Sequence, residues 1–166
     1  MATNLKNLSD YDKSKSYNVS EFSFGIVVAE WNQQITDSLY QGARKVLLEN
    51  NVKEENIVKI EVPGTFELTY GAKFLADNFQ LNAIIVLGTV IQGETRHFDY
   101  ICNSVTQGIT ELNLKYDIPF IFGVLTTNDI QQAIDRSGGK HGNKGDESAI
   151  TAIKMACLKN TYLISK

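Results

Sequence analysis

The sequence predicts an α/β fold: a four-stranded parallel sheet, doubly wound, with helices on both faces in a three-layer α/β/α arrangement. Three observations lead there. Short β-branched apolar runs recur four times along the 166 residues, each is followed by a stretch with apolar residues at helical spacing, and the connections are too long for hairpins. Right-handed crossovers then distribute the helices over both faces. With 43% hydrophobic residues the chain can bury one proper core. A formal net charge of -3 and a pI near 5.4 disfavour nucleic acid or an anionic membrane surface as the main partner. No apolar run approaches the roughly 20 residues of a membrane span, and the N-terminus lacks the pattern of a secretory signal, so a cytoplasmic protein is expected.

Residues 1–20 are polar, without an apolar period, and read as a mobile N-terminal arm; residues 21–166 read as one domain. In FSFGIVVAE, Ile26, Val27 and Val28 form the heart of the first strand. Asn32 is placed to cap a helix whose inner face is Ile35, Leu39, Ala43 and Val46, and Glu49-Asn50-Asn51 ends it. Ile57 to Val62 is the second strand, stopped by Pro63-Gly64. The second helix runs from Glu67 to Phe79 with Leu68, Ala72, Leu75 and Phe79 inward. Ala83 to Leu87 is the third strand, wholly apolar as a strand covered on both faces must be, and Gly88 closes it. Its helix begins near Phe98 and keeps Ile101, Val105, Ile109 and Leu112 on one side. Pro119 to Leu125 is the fourth strand. Two helical pieces, Asp129 to Arg136 and Lys144 to about Asn160, flank a glycine-rich SGGKHGN turn.

Ligands of such sheets sit beyond the carboxyl ends of the strands. Four loops meet that edge: Glu30 to Asn32, Pro63 to Glu67, Thr89 to His97, and Thr126 to Asn128. In the third, Gly93 offers backbone angles closed to other residues, Thr95 a capping hydroxyl and Asp99 an acid in the first turn. The helix start beyond it attracts anions, phosphate above all, through free N–H groups and its dipole. His97 at that edge either moves protons near neutral pH or only tidies the helix start. Trp31, the one tryptophan, either stacks on a flat heterocycle or caps the core. Glu67 is a favourable dipole partner or a hydroxyl-binding carboxylate. Arg136 and Lys144 lie elsewhere: the helix from Asp129 leaves the edge and ends on the order of 10 Å away. They are either a solvated helix end or groups that serve a neighbouring subunit.

Cys102 and Cys157 fall on apolar helix faces, so buried thiols are expected rather than a disulfide or a metal cluster. His97 and His141 have no partners at metal spacing. GGKHGNKG does not have the GxxxxGK[ST] spacing of a phosphate loop and follows no strand.

Six segments together carry a resemblance: GIVVAEWNQQIT, VPGTFELTYGAK, LGTVIQGETRHFDYI, PFIFGVLTTN, QAIDRSGGKHGNKG and SAITAIKMA. In this order they resemble the 6,7-dimethyl-8-ribityllumazine synthases over nearly all of residues 24–158. The resemblance implies a flavodoxin-like fold and a transferase of the penultimate step of riboflavin biosynthesis. The reaction condenses 5-amino-6-(D-ribitylamino)uracil with 3,4-dihydroxy-2-butanone 4-phosphate and releases phosphate and water, with no metal or organic cofactor. It further implies that Trp31, at a position where many relatives have phenylalanine, stacks on the pyrimidine, with Asn32 beside it. Thr65, Phe66 and Glu67 hold the ribityl chain, and Val90 and Ile91 meet the heterocycle through their backbones. Gly93, Glu94 and Thr95 cradle the phosphate, and His97 shuttles protons. Phe122, Arg136 and Lys144 match residues lent by the adjacent subunit, Arg136 to the phosphate and Lys144 near the pyrimidine. Glu94 stands where many relatives carry a small residue, and its carboxylate repels phosphate unless it turns to solvent.

Such proteins form pentamers or icosahedral shells of twelve pentamers, and the uninterrupted SGGKHGNKG turn resembles that of the shell-forming members. A 60-subunit shell is therefore expected, with the N-terminal arm adding to a neighbour's sheet edge and riboflavin synthase as a candidate partner. Two other readings are a sister activity making riboflavin from two lumazine molecules, and a flavin-binding or shell protein without turnover.

Overall fold

A computed structural model of the chain describes Tyr17, residues 19–158 and Tyr162. The rest of the N-terminal arm, including the part expected to reach a neighbour's sheet, lies outside the described residues. Val19, the described end of that arm, is fully buried in the core.

In chain order the elements are β1 (Phe24–Ala29), α1 (Gln33–Glu49), a single 3-10 turn (Glu54–Asn56), β2 (Ile57–Val62), α2 (Leu68–Asn78), β3 (Ala83–Ile91) and α3 (His97–Lys115). They are followed by β4 (Phe120–Thr127), α4 (Ile130–Arg136), β5 (Ser137–Gly139), β6 (Gly142–Asn143) and α5 (Lys144–Ala156). The main sheet is four-stranded in the order β2-β1-β3-β4, and every pairing in it is parallel. Phe24 is opposite both Ile57 and Ala83, and Ile84 is opposite Phe120. The flavodoxin-like architecture is as the sequence predicts.

Alternation along the strands fills two cores. Ile26, Val28, Ile85, Leu87, Ile121 and Leu125 face α1, α4 and α5, where they meet Ile35, Leu39, Ala133 and Ile150. Val27, Ala29, Ile84, Val86 and Val124 face α2 and α3, against Leu68, Leu75, Val105 and Ile109. Burial of each large side chain contributes about 1.5–3 kcal/mol. Ile35, Leu39, Ala43 and Val46 are all buried, as the helical spacing requires, whereas Phe79 ends α2 41% exposed because the chain has already turned to extended geometry there. Among the described residues, no helix is long and apolar enough to cross a membrane.

Several boundaries differ from expectation, each for a tertiary reason. Gly88 does not close β3. The strand runs on to Ile91, because Thr89, Val90 and Ile91 find partners in Leu125, Thr126 and Thr127 of a β4 that is also longer than predicted. Glycine is required at 88 by packing: a β-carbon there would lie 2.8 Å from Thr65 Oγ1 and 2.9 Å from Leu68 Cδ1. Asn32 does occupy the cap position of α1, but with left-handed backbone (φ 59°) and no side-chain capping bond. Its carbonyl instead accepts from the Ile35 and Thr36 N–H groups. The SGGKHGN turn is a small antiparallel ladder, β5 with β6, whose corners use positive φ at Gly138 and Gly142. Cys102 and Cys157 are half-buried rather than buried, and burial raises both thiol pKa values.

Candidate active site

β1 stops at Ala29 while β3 continues to Ile91, so the carboxyl edge carries a step between two strands whose connections leave in opposite directions. The polar loops gather at this step. The β1 loop is tied to the β2 loop by two backbone bonds, Glu30 N–H to Val62 O (2.9 Å) and Trp31 N–H to Pro63 O (3.2 Å). Gly64 then lies between two predicted site residues: a β-carbon on it would be 2.9 Å from Glu67 Oε2 and 3.5 Å from Trp31 Cδ1. The indole and the carboxylate therefore flank one small backbone surface. Trp31 is 73% exposed and Phe66 55% exposed, which excludes the reading of Trp31 as a core cap. Large aromatic surface left in water beside polar groups is what a flat ligand or a partner covers.

Thr65 is buried and joins this loop to β3 through its Oγ1–H to Thr89 O, 3.3 Å. Glu67 N–H donates to Gly64 O, and Glu67 itself stands at the cap position of α2 without a capping bond from its side chain. Val90 and Ile91 close the step from the β3 side, both half-buried. Phe66 and Glu67 also line one end of a 620 Å³ groove between α2 and α3.

The loop from Gln92 to Arg96 is exposed throughout. Its glycine corrects an expectation: Gly93 has no positive φ, and a β-carbon on it would meet nothing within 4 Å. Neither the backbone nor the packing of this chain needs glycine at 93; the bare backbone is open to whatever approaches from outside. Thr95 is not the cap residue of α3, a place taken by Arg96, but its Oγ1 accepts from the His97 N–H at 3.4 Å. His97 opens α3 and is exposed, and Glu94 is exposed beside it.

Arg136 and Lys144 stand at the two ends of the α4–α5 connection, and Phe122 lies on β4, where it lines one cavity with Lys144 and another with Phe98 and Cys102 of α3. β4 is an edge strand among the described residues; the Asn113 amide covers its first outward groups, donating to Phe120 O and accepting from Phe120 N–H, both at 2.9 Å. Farther along that edge Phe122 and Lys144 share a 260 Å³ cavity with Glu147 and Thr151. Arg136 ends α4 and Lys144 begins α5, and the β5–β6 ladder folds the two together. The solvated alternative for these cations is wrong. Arg136 Nη2 donates to Glu147 Oε1 and Lys144 Nζ to Glu147 Oε2, each at 3.0 Å, and Arg136 Nη1 donates to His141 O at 2.8 Å. Glu147, only 8% exposed, escaped the sequence reading. Its spacing of three from Lys144 is a helix-pair signal, but its link to Arg136 needs the ladder. None of these bonds reaches the Trp31–His97 edge.

One chain thus presents an aromatic and carboxylate platform beside an open helix start and, on the outer edge of β4, a cavity lined by Phe122, Lys144 and Glu147. The family model for 6,7-dimethyl-8-ribityllumazine synthase matches residues 21–160. A 6,7-dimethyl-8-ribityllumazine synthase of Parabacteroides distasonis is 61% identical over 155 residues, 93% of this chain and 97% of the relative. Those of Christiangramia forsetii and Porphyromonas gingivalis are 58% and 54% identical, over 96% of this chain and 95% and 99% of their own lengths. The chain belongs to the 6,7-dimethyl-8-ribityllumazine synthase family.

Proposed function

We propose that the chain carries out the reaction its family is named for, joining 5-amino-6-(D-ribitylamino)uracil to 3,4-dihydroxy-2-butanone 4-phosphate through imine formation, phosphate elimination and ring closure with loss of water. The observation that carries the reading is the juxtaposition of exposed Trp31 with the Glu67 carboxylate across Gly64, beside the open Gln92–Arg96 loop and His97. Trp31 stacks on the pyrimidine beside Asn32. Thr65, Phe66 and Glu67 take the ribityl hydroxyls, and Val90 and Ile91 offer backbone groups to the ring. The backbone of Gly93, Glu94 and Thr95 holds the phosphate at the start of α3, while His97 passes protons during imine formation and elimination.

Phe122, Arg136 and Lys144 complete the site from a neighbouring copy. Arg136 and Lys144 bond to Glu147 and His141 rather than to Trp31, Glu67 or His97 of their own chain, which supports that sharing. The assembly is then at least a pentamer, and a shell of sixty copies in the cytoplasm, able to associate with riboflavin synthase, is its extended form. Sedimentation should give the mass of the shell; a pentamer alone removes the shell and leaves the shared site standing.

Mixing the two substrates with the enzyme should give the lumazine chromophore and one phosphate per molecule formed. Riboflavin appearing from lumazine alone, or ligand binding without turnover, would replace this reading. Gly93→Ala separates the loop's chemistry from its fold. With open space around the new methyl group and an unstrained φ, melting should be unchanged, while the methyl intrudes on the phosphate and raises KM for the butanone phosphate by roughly tenfold, about 1.4 kcal/mol of lost binding. An unchanged KM would remove the phosphate from this loop.

A further inference from the structure

We infer that Glu147 is a positioning residue, one that never touches substrate but sets where the Arg136 guanidinium and the Lys144 ammonium stand; this rests on the site proposed above. Each carboxylate oxygen takes one cation at 3.0 Å. The carboxylate is itself anchored by rigid parts. Its helix begins at a cap in which Asn143 Oδ1 accepts from Gly145 N–H at 2.7 Å and Asn143 Nδ2 donates to Ser38 O of α1 at 2.9 Å. The Glu147 carbonyl accepts from Thr151 Oγ1–H one turn on. Arginine and lysine side chains are long and rotamer-rich. Here both are tethered to one short, fixed group, and their side chains are 17% and 28% exposed.

Donors remain for a ligand. The guanidinium has five N–H groups, and its recorded bonds among the described residues use one on Nη1 and one on Nη2. The ammonium has three and spends one on Glu147. Lys144 and Glu147 line the cavity beside Phe122, and the Arg136 guanidinium brings a second positive charge to the same carboxylate. The same carboxylate connects the cation assigned to the phosphate with the cation assigned to the pyrimidine, so a movement of either is felt by both substrates.

Electrostatics and positioning make opposite predictions for Glu147→Gln. If Glu147 only offset charge, removing its negative charge would strengthen anion binding. If it positions, the amide keeps one accepting oxygen and turns an N–H₂ towards the other cation, which is released, and binding weakens. Misplacing a positioned group by about 1 Å costs up to roughly 10²-fold. We expect Glu147→Gln to weaken inorganic phosphate binding and raise KM for the butanone phosphate by about 10- to 10²-fold.

The experiment measures inorganic phosphate affinity by calorimetry and steady-state kinetics on the assembled enzyme, for the wild type, Glu147→Gln, Arg136→Ala and the double variant. Glu147→Asp, which keeps the charge but pulls the carboxylate back by one methylene, stands in where the glutamine variant does not assemble. Weaker phosphate binding in Glu147→Gln or Glu147→Asp, vanishing in the Arg136→Ala background, supports the inference. Unchanged or tighter binding overturns it while Arg136→Ala still weakens phosphate. Phosphate affinity indifferent to Arg136→Ala removes the underlying site assignment, and the inference with it.

Discussion

His97→Ala should slow formation of the lumazine by roughly 10²- to 10⁴-fold, the range for a lost acid–base group, or about 3–5 kcal/mol of barrier. The structure makes this a clean substitution. His97 is exposed at the first position of α3, its side chain belongs to neither core, and the bond that helps define the helix start comes from its backbone N–H to Thr95 Oγ1. Alanine keeps that N–H and is a good helix former. Melting and inorganic phosphate affinity should therefore stay at wild-type values while kcat falls. A rate within a factor of a few of wild type, read from the appearance of the chromophore, would leave His97 with no part in proton transfer.

Gly145→Ala should have the largest effect on stability. A β-carbon at 145 would lie 1.8 Å from Leu39 O and 2.7 Å from Leu39 C, both backbone atoms of the middle of α1, with Asn143 Oδ1 at 2.9 Å. No side chain can swing aside to make room. α5 must move off α1, and with it the packing of Ile150 and Ile153 on Leu39 and Val46. Overpacking typically costs 1–3 kcal/mol, and a backbone clash belongs at the top of that range or above it. About 3 kcal/mol lowers Tm by roughly 6–12 °C in a domain of this size. Activity should fall with it, because Lys144 and Glu147 ride on the displaced turn. A melting curve that overlays the wild type would show that α1 and α5 are farther apart than the structure has them. Gly93→Ala is the control: the same substitution, in open space.

The contrast between these two glycines shows what was legible in the sequence. In the sequence each is a single letter: Gly93 in a loop suggests backbone freedom, yet its φ is ordinary, and Gly145 at the start of a helix suggests nothing, yet it is where two helices touch. Glycine after an apolar run, as at Gly88, signals a strand terminator. Gly88 is instead a packing residue inside a longer strand, because Thr65 and Leu68 come from 20 or more positions away to occupy its face. The strands themselves were readable because their β-branched runs are local and nearly unbroken, and the inner faces of α1 and α3 because a period of 3.6 is also local. The platform residues could be nominated because the loops after parallel strands share one edge. Glu147 was out of reach: its partners lie on either side of a two-strand ladder that no periodicity announces.

By itself, then, the amino-acid order determined the parallel α/β architecture, the set of loops at the carboxyl edge, and the segments that resemble a riboflavin-pathway transferase. Each of these depends on residues close together in the chain, where propensity, periodicity and motif spacing operate. Only the tertiary structure decided that Trp31 faces water beside Glu67, that β3 outruns β1 to form the step, and that Arg136 and Lys144 share one buried carboxylate. Those outcomes depend on which distant atoms compete for the same few ångströms, and steric exclusion and charge pairing across space leave no periodic trace in the sequence.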